Sequence, residues 1–157
     1  MKTSDRKSTI LVDKYIRAAT NSRVEGYNYK GLYIHTAPGL HDHVAGKIQG
    51  LLNTGTEVLD LAAGSGAMSL RLRDMGYRVT ATDYVSDNFR LADDIDFVPA
   101  DLNQEFSNEF KNQFDAVIAI EIIEHLENPR HFFRECNRAL KPGGHLILTT
   151  PNIDNPV

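Results

Sequence analysis

The run Val58-Leu59-Asp60-Leu61-Ala62-Ala63-Gly64-Ser65-Gly66 constrains the fold more than any other stretch of this chain. It reads as a buried strand, an acidic residue toward its carboxyl end, a glycine loop and the start of a helix. Gly64 and Gly66 carry no Cβ and can take φ > 0, so a ligand can approach the backbone there. The helix that follows aims unpaired N–H groups at whatever occupies the loop. Which ligand that is becomes the first question, and phosphate is only one candidate.

The surrounding pattern supplies the context. Pro38 and Gly39 introduce a helix with Leu40, Val44, Ile48, Leu51 and Leu52 on one side, ended by Asn53-Thr54-Gly55. Strands are then expected at residues 57–60, 78–82, 96–98, 115–120 and 145–150, with helices at 67–75 and, short and polar, near 87–92. Asp115-Ala116-Val117-Ile118-Ala119-Ile120 is the clearest strand, a run of the kind buried on both faces of a parallel sheet. Asn128 and Pro129 fit the N-cap and first turn of a helix that buries Phe132, Phe133, Cys136, Ala139 and Leu140. Lys141-Pro142-Gly143-Gly144 stops it. Such alternation implies an α/β, doubly wound, mostly parallel Rossmann-like sheet, whose ligands bind beyond the carboxyl ends of the strands where strand order reverses.

Composition narrows the class. The 157 residues fit one domain with a full-sized core, and the net charge of −4 gives no general attraction to nucleic acid or an anionic membrane. Cys136 is the lone cysteine, so no intrachain disulfide forms and a reducing compartment such as the cytoplasm is the natural reading. Neither a signal-peptide core nor a membrane-spanning run is visible.

Four of the five strand-end loops open with an acid: Asp60, Asp83, Asp101 and Glu121. Any one of them alone reads first as a solvated loop carboxylate or a helix cap, but the recurrence at one sheet edge points to a ligand. Asp83 stands where a carboxylate accepts from two ribose hydroxyls, and Asp101 where an adenine amino group would reach. A nicotinamide dinucleotide would suit Asp83 equally. Its fingerprint wants a third glycine where Ser69 stands, however, and Asp60 would set a negative charge near its pyrophosphate. A ligand with ammonium and sulfonium charges, such as S-adenosyl-L-methionine, suits Asp60 better.

Residues 58–66, Asp83, Asp101-Leu102, residues 114–120 and Lys141-Pro142-Gly143-Gly144, in that order, resemble a class I S-adenosylmethionine-dependent methyltransferase across roughly residues 40–152. The likeness is greatest to the ubiquinone-biosynthesis and small-molecule group. The resemblance implies an enzyme acting on a small-molecule acceptor, with S-adenosyl-L-methionine as cofactor. It assigns Asp60 and the backbone of Ala62, Gly64, Ser65 and Gly66 to the methionine end. Asp83 would hold the ribose, Tyr84 would lie beside the adenine, and Asp101 and the Leu102 N–H would reach the ring; Glu121 joins the cofactor-binding set. Ala62 departs from the glycine often found there.

Residues 120–127 follow the strongest strand and face the transferable methyl. Wound helically, Glu121, Glu124 and His125 would share one face. Three readings stay open: local hydrogen bonding, His125 as a general base assisted by Glu124, or a divalent-metal site like that of RNA 3′-end 2′-O-methyltransferases. A cofactor-binding fragment without turnover is a further alternative. His35, His41 and His43 read as surface histidines. Residues 1–38 are expected to form an N-terminal helix, begun at Ser8 or Thr9 and containing Ile10, Leu11, Tyr15, Ala18 and Ala19, followed by an irregular lid-like segment; residues 39–157 form the cofactor-binding domain. The expected strand order is 3-2-1-4-5, without the usual strands 6 and 7. That leaves 145–150 as an exposed apolar edge through which a homodimer would form.

Overall fold

The computed structural model describes residues 9–12, as backbone, and residues 27–151. In chain order these form β1 (Thr9–Val12), β2 (Asn28–Tyr29), β3 (Leu32–Tyr33), α1 (Leu40–Leu51), β4 (Glu57–Leu61), α2 (Ala67–Asp74), β5 (Arg78–Asp83), β6 (Asp96–Pro99), β7 (Phe114–Ile120), α3 (Pro129–Ala139) and β8 (Leu140–Thr149).

The main sheet runs β1-β8-β7-β4-β5-β6, and every pair in it is parallel. Counted from β4, this contains the expected order 3-2-1-4-5. The chain leaves β4 toward β5 and β6, then returns to lay β7 on the other side. The carboxyl ends of β4 and β7, in register at Leu61 and Ala119, therefore flank the crevice where strand order reverses.

The period of two in these strands sorts side chains between two layers. Leu59, Leu61, Val117, Ala119, Leu146 and Leu148 pack on the face covered by α3. Val58, Ala116, Ile118 and Ile147 pack on the face covered by α1 and α2. Asp60 lies on that second face, in phase with Val58. Helix α3 drives Phe132, Cys136 and Ala139, all fully buried, into the first layer at helical spacing. A buried side chain as large as Phe132 contributes about 1.5–3 kcal/mol through the area it removes from water. Its first turn is capped as the sequence implies: Asn128 Oδ1 accepts from the His131 N–H at 3.1 Å, with Pro129 at the first helical position.

Four expectations are corrected. Thr9–Val12 forms β1 rather than the start of a helix, since the segment, with β-branched Thr9, Ile10 and Val12, pairs along His145–Leu148; positions 13–26 lie outside the described residues. That pairing also covers the edge of β8 at His145–Leu148, so the apolar part of 145–150 is not an exposed edge and the premise for dimerisation through it is removed. Residues 28–33 are not irregular: Lys30 and Gly31, both at positive φ, make a two-residue hairpin turn. The helix expected near 87–92 shrinks to a 3₁₀ turn at Ser86–Asn88, because Phe89 leaves it to stack on Phe97.

Strand β8 also begins earlier than expected. Phe114 pairs with Leu140 and Ala116 with His145, so Lys141-Pro142-Gly143-Gly144 bulges past Asp115. Gly143 sits at φ +82°, and a Cβ on Gly144 would come within 3.1 Å of the Asp115 carbonyl. Lys141 Nζ closes the bulge on Asp115 Oδ2 at 2.9 Å.

Glu135 is the one carboxylate of α3 that is fully buried. Burial alone would raise its pKa. The Ser107 N–H and hydroxyl, donating at 3.0 and 2.6 Å, and Arg138 at 2.5 Å outweigh that and hold it low. These bonds tie the 3₁₀ turn Ser107–Glu109 to α3. Replacing Glu135 with Ala is expected to cost about 1.5–3 kcal/mol in denaturant unfolding, the range for hydrogen bonds to a charged group. A loss below about 0.5 kcal/mol would mean the tie is dispensable.

Candidate functional site

A cavity of about 490 Å³ opens at the carboxyl ends of β4 and β7. Its floor is Asp60 and Leu61 from β4, followed by Ala62, Ala63, Gly64 and Ser65, then Ala67 and Met68 of α2. Ile120, Glu121, Ile122, Glu124 and His125 line it from the end of β7, and Tyr33, Ile34, His35, Thr36 and His41 from the segment before and within α1. Among the described residues no lysine or arginine lines it.

Asp60 is 2% exposed. Its Oδ2 accepts from Ser69 Oγ at 2.5 Å, and the Ser69 backbone N–H also donates to the carboxylate, so Asp60 ties strand β4 to the first turn of α2. Burial pushes its pKa up to about 7; Asp83 adds to the rise, while the Ser69 hydrogen bonds oppose it. Helix-capping and cavity-lining thus belong to the same side chain.

The loop conformation is as unusual as the sequence suggests. Ala62, Gly64 and Gly66 all have positive φ, at 56°, 55° and 91°. At Ala62 that geometry is strained for a residue with a Cβ. Space around Gly64 is open, but a Cβ on Gly66 would stand 2.9 Å from both Leu91 and Phe89. Its φ of +91° and the side chains of the chain after β5 both favour glycine at position 66. Asp83 locks the same loop: Oδ2 accepts from the Gly64 N–H at 2.8 Å and Oδ1 from the Val85 N–H at 3.0 Å. Each oxygen keeps a further lone pair for another donor.

Glu121, Glu124 and His125 converge on the cavity without forming the expected helical face, since Ile123–His125 is a 3₁₀ turn. Glu121 sits at φ +48°, held by its N–H donating to the carbonyl and hydroxyl of Thr149, each at 3.1 Å. Burial raises its pKa, and the Glu124 carboxylate raises it further. Among the described residues no group of three His, Cys, Asp or Glu stands where it would hold a metal ion.

Asp83, Tyr84, Asp101, Leu102 and Gly66 do not line this cavity. Tyr84 is 74% exposed beyond β5, and Asp101 turns its Oδ1 to the Asn103 N–H at 2.9 Å. The Leu102 side chain belongs to the core under α3. Asp83, Tyr84 and Asp101, half-buried to exposed, mark a more open shelf at the ends of β5 and β6, next to the loop that Asp83 fixes, while Gly66 and Leu102 are buried.

The reading of His41 as a surface histidine is overturned. It is buried, lines the cavity, and its pKa is driven down to about 4, chiefly by burial and then by Arg71. Its Nδ1 has no partner, nor does the buried Thr36 Oγ1. The signal was present: position 41 shares the helical face of Val44, Ala45 and Ile48. His35 also lines the cavity, packed edge-on against Tyr33 at 4.6 Å. Ser65 Oγ donates to the Tyr33 carbonyl at 2.7 Å, seating this segment on the glycine loop.

The native state binds a proton at Asp60 across a pH range where the unfolded chain, with an ordinary value near 3.8, does not. Its contribution to stability is therefore complete below about pH 4 and is lost as pH rises through about 7. Asp60→Asn should raise the melting temperature of the ligand-free protein more at pH 8 than at pH 5, followed by calorimetry. Equal shifts at the two pH values would count against a buried, proton-holding Asp60.

Residues 59–148 match the family described as a methyltransferase domain. Among curated relatives, the ubiquinone biosynthesis O-methyltransferase of Caulobacter vibrioides is 35% identical over 106 residues, covering 62% of this chain and 42% of the relative. The PH0226 protein of Pyrococcus horikoshii OT3 shares the fold with a TM-score of 0.60 at 29% identity, over 68% of this chain and 54% of that one. The [4+2]-cyclase SpnF does so with a TM-score of 0.61 at 28% identity, over 75% and 47%. The chain spans less than half the length of the curated relatives it matches. No helix among the described residues is long and apolar enough to cross a membrane. With the family match extending over more than half of its length, the chain belongs to the methyltransferase-domain family of class I S-adenosylmethionine-dependent methyltransferases.

Proposed function

We propose that this chain binds S-adenosyl-L-methionine across the cavity and the adjoining shelf, and that it carries methyl transfer to an oxygen of a small-molecule acceptor. The observation that carries the reading is the cavity's acidic lining. It is lined by Asp60, Glu121 and Glu124 and, among the described residues, by no lysine or arginine, which suits a cationic ligand and not a pyrophosphate. The likeness to a relative named an O-methyltransferase supports oxygen as the acceptor atom.

Bound S-adenosyl-L-methionine supplies an activated methyl on a sulfonium whose departure leaves a neutral thioether. The chain's own work is placement. Asp60, a buried carboxyl at the floor, faces the ammonium end, with Ala62, Gly64 and Ser65 lining the seat and Gly66 turning the loop into α2 behind it. Asp83 uses its remaining lone pairs for the ribose hydroxyls, while Tyr84, Asp101 and the Leu102 N–H frame the adenine on the shelf. Glu121 completes the cofactor set beside the methyl. Orientation of this kind contributes about 7–11 kcal/mol in favourable systems. His125 takes the acceptor's proton, with Glu124 beside it in the same 3₁₀ turn.

A second reading, cofactor binding without methyl transfer, draws on the likeness to SpnF, which is named a cyclase. The metal-assisted RNA reading loses ground because no three-ligand group exists among the described residues.

Calorimetric titration with S-adenosylmethionine, S-adenosylhomocysteine and NAD tests the proposal. Both sulfur ligands should bind and NAD should not, with Asp83→Ala weakening the sulfur ligands at least tenfold. Failure of both to bind would end it. Where turnover is found, His125→Asn should lower kcat by roughly 10²–10⁴-fold, the range for lost general-base assistance. Undiminished turnover in that variant would remove the base role and leave cofactor binding standing.

A further inference from the structure

The cavity wall made by Tyr33, Ile34, His35 and Thr36 continues directly from the β2–β3 hairpin, so whatever holds the hairpin sets where that wall stands. A two-stranded hairpin is only marginally stable in water and needs packing against something else. Among the described residues, none of positions 27–33 belongs to the apolar clusters of the domain. The attachment is polar instead.

It converges on the carboxyl end of α2. Asp74 Oδ2 accepts from the Tyr29 hydroxyl at 3.0 Å and from Lys30 Nζ at 2.6 Å, where β2 runs into the hairpin turn. The Arg71 guanidinium, one turn back on α2, lies over the Tyr29 ring at 4.4 Å and pairs with Asp42 of α1. At the far end of the hairpin the Tyr33 carbonyl accepts from Ser65 Oγ of the glycine loop at 2.7 Å. An exposed ion pair contributes little to global stability. Here, however, one carboxylate receives both donors of a hairpin that has no place in the apolar core.

Asp74 does not line the cavity; at 1.5 Å per residue it stands about 9 Å along α2 from Met68, which does. We propose that Asp74 is a positioning residue: through Tyr29 and Lys30 it keeps the hairpin docked, and through the hairpin it keeps the wall of residues 33–36 against the ligand in the cavity. The inference rests on the S-adenosylmethionine reading above for its ligand and adds a point of control outside the cavity. A ligand that needs the docked wall binds with an affinity reduced by the fraction of molecules in which the wall is docked. By reciprocity, the ligand favours docking.

Calorimetric titration of the whole chain with S-adenosylmethionine tests this, read beside hydrogen exchange over residues 27–36 and urea unfolding. Asp74→Ala should raise Kd by about fivefold or more and speed exchange in 27–36 while the urea midpoint stays put. Asp74→Glu should bind within about twofold of the wild type. Lys30→Asn, a residue suited to the positive φ at that position, should raise Kd by about twofold or more. The double variant should match Asp74→Ala, which already removes the Lys30 contact. In the wild type, S-adenosylmethionine should slow exchange in 27–36. If Asp74→Ala does not fold, Lys30→Asn decides by the same two readouts. Unchanged Kd in both single variants, effects that add in the double variant, or a weaker Kd with exchange quickened across the whole domain would overturn the positioning role and leave the cofactor reading standing. A wild type that binds no S-adenosylmethionine overturns both.

Discussion

The parallel pairing of β4 with β7 on one side and β5 on the other is the constraint from which the rest of the site follows. Val58 on one face and Leu59 and Leu61 on the other are buried to within 1% exposure, so a one-residue slip of β4 would drive the Asp60 carboxyl into the apolar layer under α3. That register puts Asp60 on the face of α1 and α2, one residue before the strand ends. A carboxyl held there has no bulk water to ionise it, and its bond to Ser69 couples strand, loop and helix into one unit. The crevice and the electrostatics of its floor therefore come from a single pairing.

Strain collects around this crevice. Ala62 and Glu121, the residues that follow β4 and β7, both adopt left-handed backbone conformations without being glycine. Each is over-determined by neighbours: Ala62 between β4 and an Asp83-pinned loop, Glu121 by two hydrogen bonds from its N–H to Thr149. Such conformations persist where surrounding contacts outweigh their cost, and they gather at sites that hold ligands. Cavity polarity adds to this, since Asp60, Glu121 and His41 are all pushed toward their neutral forms by burial. Without its ligand the site is a place where the protein tolerates unfavourable states.

Much of the fold was legible along the chain because its strands are either unbroken apolar runs or end in acids at the same edge. The β7 run, the Asn128–Pro129 helix start and the glycine loop depend on residues close in sequence, where local chemistry decides. Legibility failed at two kinds of place. At Thr9–Val12 helical and extended patterns are too short to separate, and the pairing with β8 chose between them. At Ser86–Asn88 the stacking of Phe89 on Phe97 ended a helix that the local sequence allowed to run on.

The site divides in the same way. The gathering of Asp60, the glycine loop, Asp83 and the acids after β7 at one sheet edge was readable because a parallel α/β sheet places its strand ends together, whatever the intervening residues. Their order along the chain was enough to name the fold and the methyl-donor family. That Thr36 and His41 line the cavity was not readable, since nothing local distinguishes a histidine on a buried helix face that packs from one beside a cavity. Only the docking of the segment before α1 onto the glycine loop, through Ser65 and Tyr33, decided that. Local propensity and pattern set the elements and their edge; contacts between residues far apart in the chain set which side chains wall the cavity.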